Sequence, residues 1–253
     1  MRKLLDRRAL YSLAIGSLLT IACGRPDATQ DSEVQAIVSQ TQADQAFRLV
    51  YKIDYLPFNY IEDGCYAREL FMAMELAGRK IPSSAHYIYG DLHPNDDTNW
   101  SYHVAPLLKV GEEEAWVLDP SFERAPLRLN QWIKKNFPAG RYTTQIKAGS
   151  AYFDEKGRTS EFNKARLVKS FKEFPTFLTS DIAAACGVMY SYIAKEAEDV
   201  EYKRTKLLNR TAELVNDLNA LNKVEAKTLS RQVNARCRQA IETGLDLDSS
   251  LVN

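Results

Sequence analysis

A helix-like segment followed by several strand-like segments is the feature that most restricts the fold of this chain. Residues 65–80 carry apolar side chains at helical spacing with Gly78 near their end, which predicts an amphipathic helix. Residues 86–90, 101–110 and 115–122 follow with strand patterns, and turn-forming residues separate them. A helix that precedes neighbouring strands favours an α+β fold, in which the helix packs on an antiparallel sheet.

Two further stretches are predicted to extend this sheet. Residues 46–53 have strand character, and residues 140–154 are predicted to add another pair of strands. The predicted core therefore spans residues 46–159.

The region from residue 160 to residue 253 has a helical pattern instead. Val200 begins a seven-residue apolar repeat, and Ser180 is the candidate N-cap of an earlier helix; the repeat continues at Leu207, Leu214 and Leu221. We expect a helical hairpin packed on the core, with a coiled-coil partner site or a lid as alternatives. Cys186 and Cys237 lie on apolar helical faces, so both a disulfide and two buried free thiols are compatible with the pattern.

The first 23 residues have the order of an export signal. A basic start precedes an apolar run that is too short to span a bilayer. Ala22 and Cys23 end this run as in a bacterial lipoprotein box, which predicts lipidation of Cys23; a cleaved signal without lipid is the alternative. Residues 24–45 are polar, lack aromatic residues and are predicted to be a tether. We expect an exported protein, either a lipoprotein of the cell envelope, in the outer membrane, or a periplasmic or secreted protein.

The charge balance argues against a nucleic-acid partner. Thirty-three basic residues face 33 acidic ones, so no net field attracts polyanions. The chain has no glycine-rich phosphate loop and no zinc-type pair of close cysteines. We expect no metal and no organic cofactor. The lipid anchor is the only contact with a membrane that we expect.

A cysteine, a histidine and an aspartate have positions that suit nucleophilic catalysis. Cys65 begins the predicted helix, where free N–H groups and the helix dipole favour a thiolate and are expected to lower its pKa from ~8.5 to roughly 3.5–7.5. Among the three histidines, His103 lies within a predicted strand, on the same face as Ser101 and Ala105. Asp119 ends the next strand. The three residues are predicted to act as nucleophile, base and orienting carboxylate.

Aromatic and basic residues near these positions are further candidates. Tyr66, Trp100 and Tyr102 are predicted to wall a slot for an aliphatic carboxamide, although core packing explains each of them equally well. Arg68 is expected to pair with Asp119, Glu62 or Asp63, or to lie solvated on the surface.

The segments around the three catalytic candidates resemble a known family. The motifs DGCYAR, YIYGDL, NWSYHVAPLL and WVLDPSF are similar in type and order to those of bacterial protein glutaminases, which deamidate glutamine side chains in proteins. The resemblance covers roughly residues 46–125. It implies a papain/transglutaminase-like core with Cys65 as nucleophile, His103 as general acid/base and Asp119 as orienting carboxylate.

The resulting functional hypothesis is hydrolysis of glutamine side-chain amides through a thioester on Cys65. Its partners would be proteins or peptides with accessible glutamine. A papain- or transglutaminase-like peptidase or acyltransferase that uses the same residues is one alternative. A catalytically idle envelope lipoprotein that binds a partner through its C-terminal helices is the other.

Overall fold

The computed structural model describes residues 38–95, 97–111, 113–138, 141–150, 152, 177–221, 235, 237–239 and 241. The chain divides into two units, Met1–Ser32 and Glu33–Asn253, and all described residues belong to the second. The predicted signal, the lipidation site at Cys23 and most of the predicted tether lie outside the described residues. The predicted boundary between residues 159 and 160 does too, so these assignments stay predictions.

The described part of the chain includes five helices and five strands with defined bounds, and residues 235, 237–239 and 241 are helical as well. The helices are α1 (Gln40–Tyr51), α2 (Cys65–Gly78), α3 (Leu129–Asn136), α4 (Thr179–Glu196) and α5 (Val200–Leu221), and the strands are β1 (Ser84–Asn95), β2 (Thr98–Val110), β3 (Glu114–Val117), β4 (Leu127–Arg128) and β5 (Tyr142–Ala148). The strands form one antiparallel sheet in the order β4-β3-β2-β1-β5. Helix α2 packs on this sheet, which confirms the predicted α+β class.

Helix α1 corrects two sequence predictions. It contains most of the stretch 46–53 predicted to be a strand, and it begins at Gln40, inside the predicted tether. Ser39 caps it through a reciprocal capping box with Gln42. Its buried side chains follow a helical period, which accounts for the difference; they are Ala43, Ala46, Phe47 and Val50. Val38, just before the cap, pairs with the edge of β2 near Val110.

Smaller differences concern the length and number of other elements. Strand β3 ends at Val117, so Leu118 and Asp119 follow the strand instead of ending it. The stretch 140–154 contributes one strand among the described residues, β5, where a pair was predicted. Helix α4 has Leu178 at its N-cap position, so the predicted cap Ser180 lies inside the helix.

The two faces of the sheet carry separate hydrophobic clusters. Tyr87 and Val104 point into the larger cluster, which contains α2 and is called the α2-side core. Ile88 and Ala105 point into the smaller cluster around Trp132 of α3, called the α3-side core. Adjacent residues on one strand therefore serve opposite faces.

Helices α4 and α5 pack against α2, as the predicted helical hairpin requires. Leu207 and Leu214 of the heptad repeat are fully buried in the α2-side core. A disulfide joins Cys186 of α4 to Cys237, which settles the alternative that the sequence left open. None of the described helices is both long and apolar enough to cross a membrane.

A buried ion pair fastens α5 to the middle of α2. Glu75 is nearly inaccessible, and both of its oxygens accept hydrogen bonds from Arg210, at 2.7 Å and 2.8 Å. Tyr55 and Arg79 donate to the same carboxylate. These contacts outweigh the cost of burial, and the pKa of Glu75 is lowered from its ordinary value.

We expect Arg210→Met to lower the free energy of unfolding by about 1–3 kcal/mol, because Glu75 keeps its charge in the core with fewer donors. Urea unfolding at neutral pH measures this change. Arg210 also bonds the exposed Glu213, so Glu213→Gln is the control and is expected to change the stability by less than about 0.5 kcal/mol. Equal effects of the two substitutions would contradict the importance of the buried pair.

Glu69 is the opposite case on the same helix. Its side chain is fully buried, and neither carboxylate oxygen has a hydrogen-bond partner within the described ranges. Burial raises the pKa of Glu69 well above its ordinary value. The folded protein therefore holds this carboxyl in its neutral form.

Ionisation of the Glu69 carboxyl is expected to lower the stability of the folded protein as the pH rises. A carboxyl with a raised folded-state pKa contributes its full stability below its unfolded pKa, near ~4.3, and loses it as the pH rises toward the folded pKa. Glu69→Gln cannot ionise and should gain stability relative to the parent between pH 4.5 and pH 8, as measured by urea unfolding at several pH values. The same substitution at the exposed Glu113 is the control. A difference between Glu69→Gln and the parent that is independent of pH would contradict this expectation.

Candidate active site

Cys65 is the first residue of α2, at the position that the sequence predicted. The preceding Gly64 has φ +83°, a left-handed conformation that turns the chain sharply into the helix. A side chain on Gly64 would also collide with α4, since an added Cβ would lie 2.8 Å from the ring of Tyr192. Both the turn and the packing of α4 therefore require glycine here.

Helix α4 also contacts the residues just before the cysteine. The Tyr192 hydroxyl donates a 2.6 Å hydrogen bond to Asp63, and its ring lies 4.5 Å from the ring of Tyr60. Tyr192 lies in the C-terminal helical region, and no motif in the sequence connected it with Cys65. Only the heptad pattern indicated that this region packs on the core at all.

The thiol of Cys65 lies in an environment that holds its proton. Burial raises the pKa of Cys65 to about 12; the nearby Arg68 guanidinium opposes this change, while Asp63 adds to it. Hydrogen bonds from the backbone N–H groups of Val104 and Tyr66 lower the pKa by smaller amounts. The expectation of a thiolate at neutral pH is therefore wrong for this conformation, because desolvation outweighs the favourable position at the helix N-terminus.

His103 and Asp119 form the hydrogen-bonded pair that the sequence predicted. Nε2 of His103 lies 2.9 Å from Oδ2 of Asp119, and both side chains are almost completely buried. Asp119 follows Leu118, the first residue after β3. The N–H of Leu118 donates to the carbonyl oxygen of Pro106 in β2, and this pairing brings the Asp119 carboxylate beside His103. The other oxygen of Asp119 accepts the N–H of Ser121 at 3.2 Å, which fixes the carboxylate.

Aromatic rings enclose the imidazole. His103 lies opposite Ile88 in the sheet and faces the α3-side core. Its ring stacks on Trp100 at 5.0 Å and on Trp132 at 5.7 Å, and Phe122 meets it edge-on at 5.4 Å. These contacts pack closely around the ring and shield its hydrogen bond with Asp119 from water.

The thiol lies on the α2 side of the sheet, whereas the imidazole of His103 faces the α3-side core. The Cys65 sulfur accepts a hydrogen bond from the N–H of Val104, the residue that follows His103. No hydrogen bond joins sulfur to imidazole in this conformation, and Nδ1 of His103 has no partner in the described part of the chain. The structure thus pairs His103 with Asp119 and places Cys65 beside the neighbouring backbone, without contact between the sulfur and the imidazole.

The predicted aromatic slot divides into two groups. Tyr102 lies close to the thiol, since burial and then the Cys65 sulfur raise its pKa well above the ordinary value. Tyr66 follows Cys65 and meets Tyr152 edge-on at 5.4 Å. Trp100 instead stacks on His103. The tyrosines on the thiol side include Tyr89, whose pKa burial and the Cys65 sulfur raise to about 12.

Arg68 differs from both sequence expectations. Its guanidinium is buried, so it is not a solvated surface group. It donates to the backbone oxygens of Pro57 and Tyr60 and to none of the three carboxylates considered. Those carboxylates have other partners: Asp119 bonds His103, Asp63 bonds Tyr192 and Glu62 bonds the Tyr60 hydroxyl.

No cluster that could hold a metal ion is present among the residues that the structure describes. His93 pairs with Asp91 at 3.1 Å, but both side chains are largely exposed.

Comparisons with known proteins agree with the resemblance seen in the motifs. The family model described as Glutaminase matches residues 35–136. An NMR structure of protein-glutaminase from Chryseobacterium proteolyticum is 21% identical, with 53% of this chain and 87% of that chain covered and a TM-score of 0.43. A crystal structure of protein-glutaminase is 20% identical, with 60% of this chain and 86% of that chain covered and a TM-score of 0.45. A crystal structure of pro-protein-glutaminase is 20% identical, with 51% of this chain and 54% of that chain covered and a TM-score of 0.42.

No curated protein matches the chain. The motifs at Cys65, His103 and Asp119 all fall inside the segment that the family model covers. The resemblance predicted from the motifs is confirmed by this family model, which is described as Glutaminase and matches residues 35–136.

Proposed function

We propose that the protein hydrolyses the side-chain amides of glutamine in proteins or peptides, which yields glutamate and ammonia. One observation carries the proposal beyond the family match. The Cys65 thiol lies against the N–H of Val104, while the preceding His103 is held by Asp119 at 2.9 Å. The candidate nucleophile thus lies against the strand that carries the candidate base, and the reaction requires the imidazole to reach the sulfur from the other face of the sheet.

The hydrogen bond to Asp119 assigns roles to the two ring nitrogens of His103. The carboxylate accepts a hydrogen bond from Nε2–H, which leaves the lone pair of the neutral imidazole on Nδ1. Nδ1 is therefore the atom that would take the proton of Cys65. Because burial holds the thiol protonated, this transfer accompanies the attack of sulfur on the carboxamide carbon, and no preformed ion pair is required.

The remaining steps return every group to its starting state. The protonated His103 delivers its proton to the leaving nitrogen, ammonia departs, and the acyl group remains on Cys65 as a thioester. His103 then removes a proton from water, which attacks the thioester, and the sulfur regains its proton as glutamate leaves. The N–H of Cys65, at the start of α2 where no intrahelical acceptor is available, is proposed as one donor to the oxyanion.

Release of ammonia from a glutamine-bearing protein tests this proposal. The full chain is incubated with casein, and free ammonia, a mass gain of about one dalton, new N-termini and cross-links are measured. We expect ammonia and the mass gain, and we expect Cys65→Ala to abolish both. Asp119→Asn should lower kcat by roughly 10²-fold or more, because the ring loses its tautomer control.

Glu113→Gln changes an exposed turn and is the control that should leave the activity unchanged. Each other result identifies an alternative. New N-termini would indicate a peptidase and cross-links an acyltransferase. If the folded protein gives no signal in any channel, the idle scaffold is favoured.

We also propose that Cys23 is lipidated and anchors the protein in the bacterial cell envelope. The order of basic and apolar residues before Cys23 supports this proposal. A bacterium expressing the full chain and fed labelled palmitate should produce labelled protein in its membrane fraction. Cys23→Ser should remove the label, while Cys65→Ser, a matched change at another cysteine, should retain it. A label that persists in Cys23→Ser would refute the anchor.

A further inference from the structure

A buried arginine lies one helical turn from the candidate nucleophile. Arg68 follows Cys65 by three residues on α2, so the two side chains share one side of the helix. The residue is 2% exposed. Arginine is almost never buried to this extent without an acidic partner, because removal of its charge from water is costly.

The contacts of Arg68 hold its position but leave its charge uncompensated. Nη1 donates to the carbonyl oxygen of Tyr60 at 2.7 Å and to that of Pro57 at 3.2 Å. Both acceptors are neutral. None of the ion pairs seen within the described ranges includes Arg68, and the carboxylates of Glu62, Asp63 and Asp119 accept hydrogen bonds from other groups.

The sulfur of Cys65 is a further group on this side of α2 that can carry a negative charge, in addition to Asp63. We propose that Arg68 is the fixed counter-charge of the Cys65 thiolate, which forms when the S–H proton passes to Nδ1 of His103. The inference rests on the nucleophilic role of Cys65 in the proposed function. Arg68 neither exchanges a proton nor touches the substrate, and it acts through the sulfur.

The electrostatics of the thiol agree with this assignment. Arg68 is the strongest of the influences that lower the pKa of Cys65 against the effect of burial. The loop carbonyls that hold the guanidinium set its position before the thiolate appears, so little rearrangement accompanies formation of the charge. The arginine thus offsets part of the cost of an anion in a dry site.

Alkylation of Cys65 tests the proposal without any glutamine substrate. The full chain carries Cys23→Ser and keeps its disulfide, and it is treated at pH 8 with iodoacetamide, which is neutral, and with iodoacetate, which is anionic. Mass spectrometry locates the product on Cys65. The iodoacetamide rate follows the thiolate fraction and access to the sulfur. The ratio of the iodoacetate rate to the iodoacetamide rate reports positive charge near the sulfur, because the two reagents have nearly the same size.

We expect Arg68→Gln to lower the iodoacetamide rate by about 10-fold or more, since a nearby opposite charge shifts a pKa by roughly one unit or more. The ratio of the two rates should fall by about fivefold. Arg68→Lys keeps the charge and should restore the ratio. Arg79→Gln removes a charge from the far end of the same helix and should leave both quantities at their parental values.

If folded Arg68→Gln keeps the parental iodoacetamide rate and the parental ratio of the two rates, the proposal is overturned. A changed iodoacetamide rate with a parental ratio also overturns it, because that result reports access to the sulfur alone. Folding is checked by circular dichroism and thermal melting. If Arg68→Gln does not fold, Arg68→Met takes its place. If neither variant folds, Arg68→Lys decides: a parental ratio of the two alkylation rates supports the proposal, and a lower ratio contradicts it. If the parent releases no ammonia, the proposed function fails, whereas the alkylation result still decides the role of Arg68.

Discussion

The complete burial of α2 is the constraint on which the rest of the structure depends. The sheet covers one side of this helix, and α1, α4 and α5 cover the others, so every residue from Cys65 to Ala77 is buried. A helix enclosed in this way holds its first residue at a fixed place beside β2. The position of the thiol against the backbone of Val104 follows from that packing.

The same burial changes the chemistry of each ionisable group on α2. Glu75 stays ionised because two arginines and a tyrosine donate to it, whereas Glu69 has no donor among the residues that the structure describes and stays neutral. Cys65 holds its proton, and Arg68 keeps its charge while it donates to neutral carbonyl oxygens. Partners and desolvation, rather than residue type, decide which of these groups carries charge at neutral pH.

The predictions that succeeded depended on local patterns or on motifs. The helix at Cys65, the strands around His86 and His103, and the helices from Thr179 onward follow from periodicity. The strand predicted for residues 46–53 was wrong because the apolar residues of this stretch suit both a strand and a helix. The signal that decides for a helix, the capping box at Ser39, lies before the stretch. The expectation for Arg68 was wrong because local sequence does not reveal that the guanidinium reaches the carbonyl oxygens of Pro57 and Tyr60.

The sequence by itself indicated the fold class, the resemblance to the glutaminase family and the three candidate catalytic residues, because spacing and residue type are properties of the chain. It also predicted the contact between His103 and Asp119, since neighbouring strands bring these positions together. Only the tertiary structure decided the protonation of the thiol, the enclosure of His103 by Trp100 and Trp132, and the link from Cys186 to Cys237. These properties depend on solvent exclusion and on contacts between segments distant in the chain, and no local pattern encodes them.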